Sequence, residues 1–123
     1  MNRRRRKKLQ RRLVEAAGWA GHAEVARLLR AGADPNIPDV HGTTALYRAS
    51  VQNAFVTVRV LLAAGARTDV ESGTGEEGLP LCAAAAWGHE ETMRELLAGG
   101  ADPELREDHG SGRNAREWAA TRS

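Results

Sequence analysis

Apolar residues recur along this chain in short bursts at helical spacing. Leu13, Ala16 and Ala17 stand at i, i+3 and i+4, and Leu46, Ala49 and Ser50 repeat the pattern, as do Leu81, Ala84 and Ala85. Positions three and four apart share one face of a helix, so each burst predicts a short helix with a narrow buried stripe. The small residues in the stripe suit close approach to another backbone. A second set has the same spacing and larger side chains: Val25, Leu28 and Leu29; Val58, Leu61 and Leu62; Met93, Leu96 and Leu97. Each of these runs into a glycine, Gly32, Gly65 or Gly100, which can take the left-handed conformation that ends a helix. Pro35 and Pro103 then bar its resumption. Thr44 is a good N-cap for a helix at Ala45, and Pro80 falls at a first helical position, where proline is tolerated.

The stop signals are themselves a repeat: Ala31-Gly32-Ala33-Asp34, Ala64-Gly65-Ala66-Arg67 and Gly99-Gly100-Ala101-Asp102. Gly32 and Gly65 are 33 residues apart, and Gly65 and Gly100 are 35 apart. A period of this size predicts a stack of two-helix units, none of which can bury its apolar faces alone.

The 123 residues suffice for one domain. Aromatics make up only 4%, so the core must be built from Leu, Val and Ala. Arg outnumbers Lys sixteen to two, which together with the abundant Ala and Gly resembles the coding bias of a GC-rich, bacterial-type genome. The net charge of +2 conceals an asymmetry. Arg3, Arg4, Arg5, Arg6, Lys7, Lys8, Arg11 and Arg12 place eight positive charges in the first twelve residues; the remainder carries ten basic and sixteen acidic residues, about −6. A basic tip on an acidic body is not the footprint of a domain-wide nucleic-acid binder. Cys82 has no cysteine partner for a disulfide or a zinc site, so a reducing, cytoplasmic setting is expected. No apolar run is long enough to span a membrane. Glu15, His22 and Glu24 interrupt what could otherwise follow the basic start as a signal peptide.

Asp39-Val-His-Gly-Thr-Thr-Ala-Leu-Tyr-Arg-Ala49 resembles the ankyrin-repeat signature, with Ala45 for its proline and Tyr47 for its histidine. Gly88-His89 resembles the motif between the two helices of a repeat, and the Gly-Ala-Asp sequences resemble its end. Leu13 to Gly32, Leu46 to Gly65 and Leu81 to Gly100 are each 19 residues, in the family's register. The resemblance covers roughly residues 11–120. It implies an all-α ankyrin-repeat solenoid of about three helix pairs plus a C-terminal half-repeat, joined by turn or β-hairpin-like connections. The units fall at about 11–38, 39–71, 72–106 and, in part, 107–123, preceded by a basic tail over 1–10. A small stand-alone protein is expected, as a monomer.

The copies depart from one another in places. Gly21-His22 lies one residue late relative to Leu13, which suits an N-terminal capping repeat. Asn53-Ala54 replaces Gly-His in the second unit. Two extra residues within 71–78 predict a turn that projects beyond its neighbours. Arg116 stands where a Leu is expected, so the last helix is expected to dock weakly, with Trp118 and Ala119 as anchors and Asn114 as cap.

No arrangement of residues resembles a catalytic site, and no enzyme activity, cofactor or metal is expected. His22 and His89 are read as loop histidines that bond backbone, and His41 and His109 as surface turn residues. No metal-ligand spacing occurs among them. Cys82 is read as a small buried residue. Glu76-Glu77 sits on a Gly-rich tip, where water keeps both carboxylates ordinary. The Gly73-to-Gly78 stretch lacks the Lys-Ser/Thr ending of a phosphate loop.

Trp19 and Trp87 stand six residues after Leu13 and Leu81, and Gln52 holds that place in the second unit. At the end of the first helix and off its core face, each Trp either packs on the next unit's loop or anchors a partner. The resemblance implies that this position and the turn tips contact an unidentified protein partner, through Val40, His41, Thr43, Gln52, Thr74, Glu76, Ala86, Trp87, His109 and Ser111. A different class of function is electrostatic tethering by Arg3, Arg4, Arg5, Arg6, Lys7 and Lys8 to nucleic acid, an anionic membrane or an acidic protein. The plainer reading of the run is a solvated, frayed helix extension: cations at a helix N-terminus oppose the macrodipole, so this end is expected to be poorly ordered.

Overall fold

The computed structural model describes residues 2–121. Seven α-helices follow one another: α1 (Arg3–Trp19), α2 (His22–Arg30), α3 (Ala45–Val51), α4 (Phe55–Ala63), α5 (Pro80–Trp87), α6 (Glu90–Ala98) and α7 (Ala115–Ala120). Among the described residues there is no strand, only an isolated antiparallel bridge between Ser72 and Gly78. Helices α1, α3, α5 and α7 pack in succession as one row, and α2, α4 and α6 form a second row behind them. This is an all-α repeat solenoid.

The core follows the two apolar stripes. Leu13, Leu46, Leu81 and the alanines beside them are buried, together with Val25, Val58 and the first leucine of each pair. Leu28, Leu61 and Leu96 are at most 1% exposed. The second leucines depend on a neighbour. A Cβ added to Gly99 would meet Leu62 Cδ1 at 2.8 Å, so the third unit's helix stop lies directly on the second unit's leucine. Leu97, which no later helix of the second row covers, is 44% exposed.

Hydrogen bonds stitch each unit to the next. The Thr44 amide, at the N-cap of α3, donates to Ser72 Oγ at 2.9 Å. The Leu79 amide, at the N-cap of α5, donates to Glu107 Oε2 at 2.8 Å. The corresponding Asn114 amide instead donates to Glu117 Oε1 at 3.1 Å, within a capping box on α7 itself. Asn36 bridges the helix stops, donating to the Gly65 carbonyl at 2.9 Å and accepting from the Arg67 amide at 2.8 Å. The His89 ring donates through Nε2 to the Val51 carbonyl at 3.0 Å.

Three expectations change. The basic segment is not frayed, because α1 begins at Arg3 with Asn2 Oδ1 accepting from the Arg5 amide at 2.8 Å. That cap, the burial of Leu9 and the anchoring of Gln10 offset the unfavourable dipole. Second, α7 docks on α5 despite Arg116. Trp118 Nε1 donates to Glu107 Oε1 at 2.8 Å, and the Arg113 guanidinium lies 5.0 Å from the Trp118 ring centroid. Arg116 turns outward to Glu104 at 2.6 Å. Third, the one-residue lag of Gly21-His22 puts Gly21, not His22, in the place that His89 fills. His22 therefore rides exposed on the first turn of α2. Asn53, at φ 55°, supplies the left-handed residue that Gly88 provides in the third unit.

Candidate protein-binding surface

The connecting turns are shaped by polar side chains that the helix pattern does not reveal. Asp39 Oδ1 accepts from the His41 amide at 2.9 Å and the Thr43 amide at 3.0 Å, and its own amide donates to the Thr43 carbonyl at 2.9 Å. This Asx-type closure turns Val40 and His41 outward, leaving Val40 88% exposed. The next turn closes between Ser72 and Gly78, whose amides and carbonyls exchange bonds of 2.8 and 3.0 Å. The Gly73 amide donates to the Gly42 carbonyl at 2.7 Å and locks the two tips together. Between them lies a groove of about 710 Å³ that includes Val40, His41, Thr74 and Glu76.

Thr43 also lines this groove, but from beneath. It is 3% exposed, and its hydroxyl donates to the Glu77 carboxylate at 3.0 Å. Ser72 Oγ also donates to Glu77, at 2.7 Å, while accepting from Thr44. Thr43, Thr44, Ser72 and Glu77 thus form one connected network under the tips. Glu77 is half-buried and fully engaged rather than solvated, whereas Glu76 is exposed. Nothing local marks Glu77: its partner Thr43 is 34 residues away.

The third tip is formed differently. Glu71 accepts from the Asp108 amide at 3.0 Å and the His109 amide at 3.4 Å, where both residues have positive φ. His109 and Ser111 are exposed there, and His109 lines a separate groove of about 340 Å³ with Asp69, Glu71 and Leu105.

Gln52, Ala86 and Trp87 stand at the other end of the first-row helices. Helix α5 has eight residues, so about 12 Å of helix separates the tips from Trp87. The structure does not bring the two groups into one pocket. Trp19 is 79% and Trp87 62% exposed, so neither is buried on a neighbouring loop; Gln52 is exposed between them in the row, and Ala86 is half-buried.

Cys82 is 2% exposed and directs its thiol to the Arg113 carbonyl at 3.8 Å. Burial first, and the Glu107 carboxylate second, push this thiol up to about 12. Native Cys82 should resist alkylation by iodoacetamide at pH 8.5 and react only when the chain is unfolded in guanidinium. Rapid native labelling would contradict the burial. The unfolded thiol ionises first as pH rises, so this site favours the folded state below pH 9 and loses that contribution toward pH 12. No group of three or more His, Cys, Asp or Glu side chains converges as a metal site among the described residues.

The family model for ankyrin repeats, in three copies, matches residues 13–107. The chain therefore belongs to the ankyrin-repeat family. It is 34% identical over 98 residues to a palmitoyltransferase of Drosophila melanogaster, an overlap of 80% of this chain and 15% of the relative. It is 37% identical over 91 residues to an E3 ubiquitin-protein ligase of Arabidopsis thaliana, covering 73% of this chain and 6% of the relative. An ankyrin repeat and KH domain-containing protein of Caenorhabditis elegans is 35% identical over 102 residues, or 83% of this chain and 4% of the relative. The chain thus spans less than a sixth of these relatives' length. Ankyrin repeats are in general protein–protein interaction modules. No helix among the described residues is long and apolar enough to cross a membrane.

Proposed function

We propose that this chain is a non-catalytic binding module that holds a protein partner against its turn tips and the exposed ends of its first-row helices. The observation that carries this reading is the exposure of Trp19 and Trp87 on either side of Gln52. Large aromatics left in water at the ends of rigid helices are the residue type that dominates binding energy when a partner covers them. The groove at Val40, His41, Thr74 and Glu76 supplies a second, polar contact region on the same scaffold. Binding needs no rearrangement, because the tips are already fixed by Asp39, Ser72 and Glu77. The unpaired Cys82 supports a reducing, cytoplasmic setting.

Trp87→Ala should cost at least about 2 kcal/mol of partner affinity, roughly thirtyfold, if the tryptophan is an anchor. Its stability cost should stay within about 0.5 kcal/mol, because the side chain is exposed. The check is quantitative capture of lysate proteins by the parent and variant chains, with far-UV circular dichroism on both. The same proteins captured in the same amounts would remove Trp87 from the binding surface.

A further inference from the structure

The start of α1 has no counterpart in the other units: α3 begins one residue before Leu46, whereas α1 begins ten before Leu13. Its first turns carry Arg3, Arg6, Lys7, Gln10 and Arg11 at i, i+3, i+4, i+7 and i+8, a single helical face. This face is one wall of a groove of about 630 Å³, and Ile37, Pro38 and Val40 stand on the opposite wall. Ile37 is 48% and Val40 88% exposed. Gln10 joins the walls. Its amide nitrogen donates to the Asp34 and Ile37 carbonyls at 2.5 and 2.6 Å, and its oxygen accepts from the Asp34 amide at 3.1 Å. The groove is therefore preformed. The stems of the basic side chains add methylenes to its lining, so its interior is mainly apolar and its rim cationic.

Of the cations on this rim, Arg3 and Lys7 make no ion pair among the described residues, and Arg11 approaches Glu15 only at 3.9 Å. The two carboxylates of the opposite wall serve their own turns. Asp34 Oδ1 accepts from the Asn36 amide at 2.8 Å, and Asp39 is held by His41 and Thr43.

We infer that this groove binds an acidic peptide segment of another protein, with an aliphatic side chain set between its carboxylates. The cations meet the carboxylates, and Ile37 and Pro38 receive the aliphatic group. From Arg3 to Arg11 the wall is about 12 Å long, which matches about four residues of extended chain. A single-stranded nucleic acid would find no aromatic ring among the lining residues on which to stack a base. A membrane surface would not enter a concave groove. This surface is distinct from the tip groove, with Asp39 and Val40 at their common edge, so either can fail alone.

The test is fluorescence anisotropy of a labelled synthetic hexapeptide of alternating Glu and Leu against the full chain. Charge reversal in Arg3→Glu/Lys7→Glu should weaken binding about tenfold or more. An acid in place of Arg3 lies in the first turn, where it favours the helix, and an acid in place of Lys7 faces Arg11 four residues on, so that loss would not come from melting α1. Ile37→Ser should weaken binding about fivefold at unchanged helicity, and an all-Glu hexapeptide should bind about tenfold more weakly than the alternating one. Equal binding of the two peptides, or insensitivity to Ile37→Ser, would overturn the inference. So would failure of the alternating peptide to bind, or tighter binding of a DNA duplex or of phosphatidylserine vesicles.

Discussion

A Gly78→Ala chain is expected to be about 3 kcal/mol less stable than the parent, with the loss concentrated in the last unit. Gly78 has φ +106°, a backbone conformation that L side chains rarely adopt, and enforcing it costs about 1–2 kcal/mol. The second part of the loss is chemical. A Cβ at this position would land on the Glu107 carboxylate. Glu107 would have to leave, and it is the acceptor for both the Leu79 amide and the Trp118 indole. Leu79 is buried, so an amide left there without an acceptor costs about 1–3 kcal/mol. Urea unfolding followed by circular dichroism reads the total. Gly75→Ala is the matched control, because Gly75 has φ +114° but open space where its Cβ would stand. Equal losses in the two variants would show that the clash with Glu107 carries no energy.

The other large effect belongs to Leu61. Leu61→Ala should destabilise by about 3–4 kcal/mol, through lost burial and the cavity left behind. Leu61 is fully buried on α4, a helix that packs on α2, α3 and α6. A void there loosens the middle unit's contacts on both sides. In a stack stabilised by nearest-neighbour interfaces, weakening the middle unit uncouples the rest. A domain of this size holds roughly 5–15 kcal/mol, so the variant should melt at a much lower temperature with a broadened transition. Leu97→Ala, made at a leucine already 44% exposed, should cost less than about 1 kcal/mol. A similar loss in both variants would contradict the division of each Leu-Leu pair into a core member and a covering member.

The helices were legible because their signals are local. Apolar spacing, the Thr44 and Asn114 caps, Pro80 and the stopping glycines all act within a few residues, and each marks an element that forms. The polar network under the tips was not legible. Glu77 reads as one more acid in a Gly-rich loop, and its role depends on Thr43, brought near only by stacking. The same holds for Glu107, whose acceptor role toward Leu79 requires both turns to be in place. The ordered start of α1 was missed for another reason. A run of cations shows no apolar periodicity, and the residue that pins it, Gln10, binds carbonyls 24 and 27 residues away. Of the candidate contact residues, Val40, His41, Thr43, Thr74 and Glu76 share a groove because they occupy adjacent turns. Thr43, one residue past Gly42, is drawn inward by the acid it serves.

The stitching between units also has a direction in time. The Thr44 and Leu79 amides each depend on a side chain 28 residues further along the chain. A ribosome adds about 5–20 residues per second, so each acceptor is made roughly one to six seconds after the helix start that needs it. During synthesis the most recently made unit is therefore always the unfinished one. Only when Asn114 and Glu117 close on each other does a unit complete itself without waiting for a successor.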